Sequence, residues 1–270
     1  MSRRLGMPLL VLAIAAVLWW LDREPDQPSA AEPETPGAER VSADDFTGEP
    51  EVARWEPIQD FDKDVALFES VFWEPTDTTS LRKLIRETDL VRAKRVLEIG
   101  TGSGLVSLAC LQAGASHVVA TDINPQAVKN ALYNAKQLGL LREADGQSNF
   151  EVRLVPRRDP SAWSVIGEDE RFDLIISNPP WEDDKPKQMS DFALYDPEFG
   201  LLKSILSGAE ERLEPNGQLL LAYGCVTAIK TIKNLAPVHN LSYKQLDERS
   251  LDELAEVFLP GMLLELRVAD

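Results

Sequence analysis

The run Asp-Leu-Ile-Ile-Ser-Asn-Pro-Pro-Trp from Asp173 to Trp181 constrains this chain more than any other stretch. Leu174 to Ser177 are apolar or small without alternation, the pattern of a central parallel strand covered on both faces. Pro179 and Pro180 then end the ladder, because neither can donate a backbone N–H, and they stiffen the exit loop. In an open α/β sheet the ligand crevice lies beyond the carboxyl ends of the strands, so Asn178 and Trp181 are predicted to project into it. An Asn side-chain carbonyl together with a proline backbone carbonyl can accept both hydrogens of an NH2 group, while an aromatic ring stacks on the plane that carries it. Read for structure alone, Asn-Pro-Pro is a turn after a strand.

Upstream, Arg95 to Ala109 reads as strand, glycine turn and helix. Gly100, Gly102 and Gly104 at alternate positions permit a tight turn and close approach of a ligand to the backbone, and the following helix offers free N–H groups. A second strand, His117 to Thr121, ends at Asp122, where such folds place an acid on ribose hydroxyls. A dinucleotide fingerprint requires glycine where this chain has Leu105, so the turn suits a small nucleoside ligand without a pyrophosphate.

Together these residues resemble the class I S-adenosylmethionine-dependent methyltransferases, within the branch that methylates amino or amide nitrogens through an Asn-Pro-Pro-aromatic motif. The resemblance spans roughly residues 58 to 270. It implies that Glu98, Gly100, Thr101, Gly102 and Gly104 hold the methionine end of S-adenosylmethionine and that Asp122 and Ile123 hold the ribose. Asn178, Pro179, Pro180 and Trp181 would then take the target nitrogen. The stretch Val71 to Thr79 is similar to a segment that lies over the cofactor in HemK-type protein glutamine methyltransferases, and there Thr78 or Thr79 would approach the cofactor carboxylate. Read locally, the same threonines cap a helix that starts near Leu81. The stretch from Phe192 through Tyr195 to Gly200 and Leu201 is also similar to that subfamily. Where the family contacts adenine after the third strand, this chain has Val155-Pro-Arg-Arg-Asp159, which leaves Asp159 for that role.

The activity so implied is direct displacement of a methyl group from a sulfonium to a planar nitrogen, driven mainly by alignment and needing no strong general base. The favoured acceptor is a protein glutamine. The alternatives are an exocyclic base amine of RNA or DNA and, from another class, a catalytically idle membrane-tethered cofactor-binding protein. An NAD-dependent reductase is disfavoured by Leu105 and by the lack of a Tyr/Lys or His acid–base pair at a recognisable spacing.

With 270 residues and 44% hydrophobic content, the chain can build one sizeable α/β core. Cys110 and Cys225 fit neither a disulfide framework nor metal spacing and are expected to be buried small residues, and no metal is expected. His117 and His239 lack sequence partners for catalysis. The net charge of −17 speaks against a protein that tracks a nucleic-acid backbone. Lys185 and Lys187 flank the Asn-Pro-Pro loop and read as solvated.

Met7 to Leu21 is an apolar run preceded by Arg3 and Arg4. It reads as an uncleaved membrane anchor within residues 1–21, short of the roughly 20 residues that span a bilayer as a helix. Residues 22–57 hold eleven acidic against three basic side chains and many prolines, which predicts a disordered tether to a catalytic domain at 58–270. Positive-inside logic would place that domain across the membrane. The cofactor chemistry favours the cytoplasmic side, with the segment lying on the membrane. From residue 60 the pattern predicts helices over 60–69 and 80–88, then strands at 95–99, 117–121, 150–155, 172–177 and 217–224 alternating with helices at 103–113, 124–138, 199–213 and 226–236. Strands near 241–247 and 257–268 close the pattern. The expected fold is a Rossmann-like, doubly wound, mostly parallel seven-stranded sheet with a C-terminal antiparallel hairpin around Pro260-Gly261.

Overall fold

The computed structural model describes residues 40–41, 51–144 and 146–269. The expected anchor at 7–21 and most of the expected tether lie outside the described residues. Among the described residues, no helix is long and apolar enough to cross a membrane.

Strands β1 (Arg40–Val41), β2 (Val52–Glu56), β3 (Val65–Phe68), β4 (Arg95–Ile99), β5 (His117–Asp122), β6 (Glu143–Ala144), β7 (Gln147–Ser148), β8 (Phe150–Leu154), β9 (Phe172–Ser177), β10 (Leu213–Cys225), β11 (Leu241–Gln245) and β12 (Val257–Val268) are joined by helices α1 (Thr79–Glu87), α2 (Leu105–Gln112), α3 (Pro125–Gln137), α4 (Gly200–Arg212) and α5 (Val226–Leu235). The main sheet has the order β1-β8-β5-β4-β9-β10-β12-β11. Every neighbouring pair from β8 to β10 is parallel, and β12 pairs antiparallel with both β10 and β11. This is the expected Rossmann-like sheet of seven principal strands, with the two-residue β1 added antiparallel at the β8 edge. The strand order reverses between β4 and β9, so the crevice of the fold opens between their carboxyl ends.

Alternation along the strands divides the core. Leu97, Ile99, Ile175, Leu219 and Leu221 face α4 and α5. Val96, Leu174, Ile176, Leu220 and Ala222 face the side carrying α1, α2 and α3. Each such large aliphatic side chain contributes roughly 1.5–3 kcal/mol when fully buried. Helix α2 buries every residue from Leu105 to Leu111, which is why its sequence carries no polar stripe.

Four expectations need correction. The tether does not extend to residue 57, because Arg40–Val41 joins the sheet and Val52–Glu56 pairs antiparallel with Val65–Phe68. The helix expected at 60–69 is instead turns followed by the strand β3. The physical reason lies in α3: Asn130 and Asn134, one turn apart and fully buried, bind the backbone of β3 as a neighbouring strand would. Asn130 Oδ1 accepts from Phe68 N at 3.0 Å and Asn134 Oδ1 from Ala66 N at 2.9 Å, while both amide nitrogens donate to Ala66 O. Pro260-Gly261 is not a hairpin tip but lies inside β12, beside a register shift in its pairing with β10. Asn216-Gly217, a dipeptide that reads as the turn into the strand expected at 217–224, likewise falls within β10, at an irregularity in its pairing with β9.

Away from the crevice, the buried guanidinium of Arg153 bonds Glu170 Oε2 at 2.5 Å, Glu151 Oε1 at 2.9 Å and Val165 O at 2.9 Å. Desolvation raises the Glu170 carboxyl, but the hydrogen bonds and charge of Arg153, with Gly167 N–H and Arg95, outweigh it and hold the group down at about 2. A carboxyl depressed in the folded state contributes stability that is complete above the ordinary glutamate range and is lost as pH falls through its folded value. Glu170→Gln should therefore cost about 3 kcal/mol at neutral pH, the low end for breaking a buried pair, since the Glu170 side chain is 21% exposed. In urea unfolding series, the gap between wild type and variant should narrow as pH drops from about 4.5 to about 2. A gap independent of pH would dismiss the ion pair as its source.

Candidate active site

A cavity of about 930 Å³ opens at the carboxyl ends of the central strands. The glycine turn after β4 forms one wall, and the loop after β9 forms another. Gly100 and Gly102 hold positive φ angles of +80° and +55°, and a Cβ on either would meet no heavy atom within 4 Å. Backbone there borders open space, as close approach by a ligand requires. Gly104, at φ +93°, serves differently: a Cβ would lie 3.0 Å from Ala131 Cα, so this glycine lets α2 pack on α3 and does not line the cavity.

Glu98 is buried beneath the turn. Its Oε2 accepts from Thr101 Oγ1 at 2.7 Å, from Ser107 N at 3.1 Å and from Ser107 Oγ, so the carboxyl ties the turn to the first helical residues of α2. Burial pushes it up to about 7, against the bonds from Ser107 and Thr101. Asp122, at the end of β5, accepts Gly102 N at 2.8 Å and Asn124 N at 2.8 Å. The acid expected at a ribose thus also braces the glycine turn. Burial raises its carboxyl above the ordinary aspartate value, opposed by backbone bonds from Asn124, Gly102 and Ile123.

Asn178, Pro179, Pro180 and Trp181 all line the cavity. Ser177 Oγ donates to Ile99 O at 2.7 Å, which clamps the end of β9 to the end of β4. Asn178 Nδ2 donates to Asp77 Oδ2 at 2.9 Å, whereas its buried Oδ1 has no hydrogen-bond partner. Trp181 is seated on two glycines. A Cβ at Gly224 would fall 2.3 Å from Trp181 Cζ3, and one at Gly261 would fall 3.5 Å from Cζ2. Its Nε1 is also buried without a partner.

Ile123, Thr78 and Asp159 line the cavity as well, and Thr79 does not. Thr79 Oγ1 donates to Pro75 O at 3.3 Å, and the Thr78 hydroxyl accepts from Arg82 without capping α1. Both hydroxyls are engaged within their own segment. Arg82 in turn is paired with buried Asp60 at 2.6 Å. From the stretch at 192–201, Phe192, Tyr195, Gly200 and Leu201 also line the cavity, and Arg157 stacks on the Phe192 ring at 5.6 Å. Cys110 and Cys225 are buried and free.

Asp77, Gly224 and Gly261 were not legible as site residues. Asp77 stands within a Thr-rich run where capping explains every polar side chain, and its partner Asn178 is 101 residues away. Burial raises its carboxyl to about 6, opposed chiefly by the bond from Asn178 and, more weakly, by Arg82.

The donor set suits S-adenosylmethionine: a glycine backbone open to the cavity, a carboxylate at the end of the second parallel strand, and buried apolar walls from Val106, Ala127 and Ala162. A doubly wound sheet with these groups at its switch point defines a class, and comparison with known proteins agrees. Residues 75–178 match the profile of the ribosomal protein L11 methyltransferase family. A protein of Methanocaldococcus jannaschii, named by inference a protein N5-glutamine methyltransferase, is 34% identical over 62% of this chain and 79% of its own length. The release factor glutamine methyltransferase of Cereibacter sphaeroides is 34% identical over 48% of this chain and 46% of its own. A tRNA1(Val) (adenine(37)-N6)-methyltransferase of a Flavobacteriaceae bacterium is 33% identical over 55% and 58%. The solved ribosomal protein L11 methylase of Lactobacillus delbrueckii subsp. bulgaricus shares the fold, with a TM-score of 0.51 at 20% identity over 76% of this chain and 84% of its own. The chain belongs to the class I S-adenosylmethionine-dependent methyltransferases and is an enzyme of that class.

Two substitutions probe the two walls. Asp122→Ala removes an acceptor carboxylate and should weaken S-adenosylmethionine binding by about 1.5–3 kcal/mol in calorimetry. Unchanged affinity would confine Asp122 to bracing the turn. Gly224→Ala forces Cβ against Phe258 O, 2.3 Å away, as well as against Trp181. It should lower stability by about 1–3 kcal/mol and raise the acceptor KM while leaving cofactor affinity in place.

Proposed function

We propose that this enzyme methylates a planar nitrogen and that its acceptor is the side-chain amide of a protein glutamine. The observation that carries the reading is the divided state of Asn178: its amide nitrogen is anchored on Asp77, and its carbonyl oxygen stands buried and unpaired in the cavity wall. An unmet buried acceptor costs about 1–3 kcal/mol. An N–H of an entering acceptor would remove that cost, and the Pro179 carbonyl would take the second hydrogen.

Bound S-adenosylmethionine supplies an electrophilic methyl group on a positively charged sulfur. The Gly100–Gly102 turn and Asp122 would hold it, with Ile123 and Asp159 beside the nucleoside. Asn178 and Pro179 orient the nitrogen lone pair and stabilise the positive charge that grows on it. Trp181, fixed on Gly224 and Gly261, presents an aromatic wall to the acceptor.

Support for a protein acceptor comes from the rim and from the named relatives. Glu182 and the exposed apolar side chains Leu194, Val257 and Leu259 line the cavity, and Asp183 and Asp184 follow Glu182 in the same loop. With Lys185 and Lys187 in the same loop the acids still outnumber the bases, which supports a polypeptide over a phosphate backbone. Two of the relatives are named for glutamine methylation and one for a tRNA adenine. Membrane attachment through residues 7–21 is part of the same proposal: the full chain should sediment with lipid vesicles, and a chain lacking these residues should not.

Asn178→Ala should reduce methyl transfer on the order of 10²–10³-fold while cofactor affinity stays near wild type, because this side chain acts on the acceptor alone. The assay is transfer of labelled methyl from the cofactor to a glutamine-containing release-factor-type peptide, with a structured RNA in parallel. A wild-type rate for the variant would remove the Asn-Pro-Pro loop from the chemistry. Labelling of RNA alone would exclude the glutamine reading.

A further inference from the structure

The Asn178 amide has two ends of similar shape, and only one orientation presents its oxygen to an N–H. Asp77 settles the choice in this chain. An ionised carboxylate is an acceptor only, so the group that meets it at 2.9 Å must be the amide nitrogen, which leaves Oδ1 on the other side. Without a one-sided partner, an asparagine in a protein wall can satisfy its neighbours either way round.

Asp77 is itself held firmly. It is 5% exposed and lines the cavity. Its backbone carbonyl accepts Gly261 N at 3.2 Å, tying it to β12, and its backbone N–H reaches Glu74 O at 3.3 Å. Behind it, Arg82 donates to Pro75 O at 2.8 Å and to the Thr78 hydroxyl while paired with Asp60. The segment before α1 is thus tied to β12 on one side and to Arg82 of α1 on the other, and the carboxylate it offers to Asn178 is held between them.

We propose that Asp77 is a positioning residue of the acceptor site: its carboxylate orients the Asn178 amide so that the asparagine oxygen receives the nitrogen to be methylated. This rests on the acceptor role given to Asn178 above. Asp77 touches neither acceptor nor methyl group in this scheme. Its effect passes through Asn178, so it belongs to turnover and not to cofactor affinity.

The test is an exchange of the two side chains in the full-length enzyme, with Asp77→Asn, Asn178→Asp and the double variant compared for kcat, acceptor KM and cofactor Kd. Asp77→Asn should lower kcat at least tenfold, because two facing amides can pair in either sense. Asn178→Asp should lower it further, because two carboxylates then meet at hydrogen-bond distance. The double variant restores one donor facing one acceptor-only group, with a carboxylate oxygen now offered to the substrate. Its kcat should recover at least tenfold over the weaker single variant, with cofactor Kd within threefold of wild type throughout. A wild-type kcat in Asp77→Asn, or a double variant no faster than the weaker single, overturns the inference. Loss of cofactor binding in Asp77→Asn equal to its loss of turnover overturns it too, since Asp77 is then a residue of the fold. Asn178→Ala separates the two claims. If it stays active, the acceptor reading itself falls. If it is inactive while Asp77→Asn turns over normally, only the role of Asp77 is lost.

Discussion

Everything at the candidate site depends on the parallel pairing of β4 with β9. Ile99 lies opposite Ser177 in that ladder, and the Ser177 hydroxyl closes on Ile99 O at 2.7 Å. The next residue on one strand is Gly100, and on the other it is Asn178. Segments almost eighty residues apart in the chain are therefore delivered to the same edge of the sheet, one able to take a cofactor and one carrying an unpaired acceptor. A slip of one residue in this register would turn every side chain of β9 to the opposite face and separate the two ends.

Around that pair the wall is stiffened by polar groups that bond inward. Glu98 gives one oxygen to Thr101 and Ser107, and Asp122 takes Gly102 N and Asn124 N. Asp77 takes the amide of Asn178. Each of these carboxyls is raised by burial. Their desolvation is offset only because the backbone and side-chain donors of the site are arranged around them. The site is thereby shaped by bonds internal to the protein, the kind of fixed dipole arrangement that accelerates a transfer reaction.

The amino-terminal segment shows how a fold can recruit what composition assigns to a linker. Acidic residues and prolines dominate residues 22–57, yet Val52–Glu56 and Val65–Phe68 form a hairpin held by Asn130 and Asn134 of α3. Nothing near residues 52–68 announces this. The signal is a pair of asparagines one helical turn apart, some seventy residues later, and it becomes meaningful only once the strand lies against them.

The sequence by itself determined the order and type of the central elements, the apolar β9 ending in Asn-Pro-Pro-Trp, the glycine turn and the acid after β5. These are local matters: proline ends a ladder, glycine allows positive φ, and continuous apolar runs bury both faces of a strand. Tertiary structure alone decided the rest. It set Gly104 against Ala131 and not against the cavity, seated Trp181 on Gly224 and Gly261, kept the Thr78 and Thr79 hydroxyls within their own segment, and brought Asp77 to Asn178. The physical reason is that the glycine, tryptophan and Asp77–Asn178 contacts join residues far apart in the chain, and the two threonines had a choice between local partners and the cavity that only packing resolves. Whether a side chain there meets a ligand or a neighbour depends on which surfaces close packing leaves open.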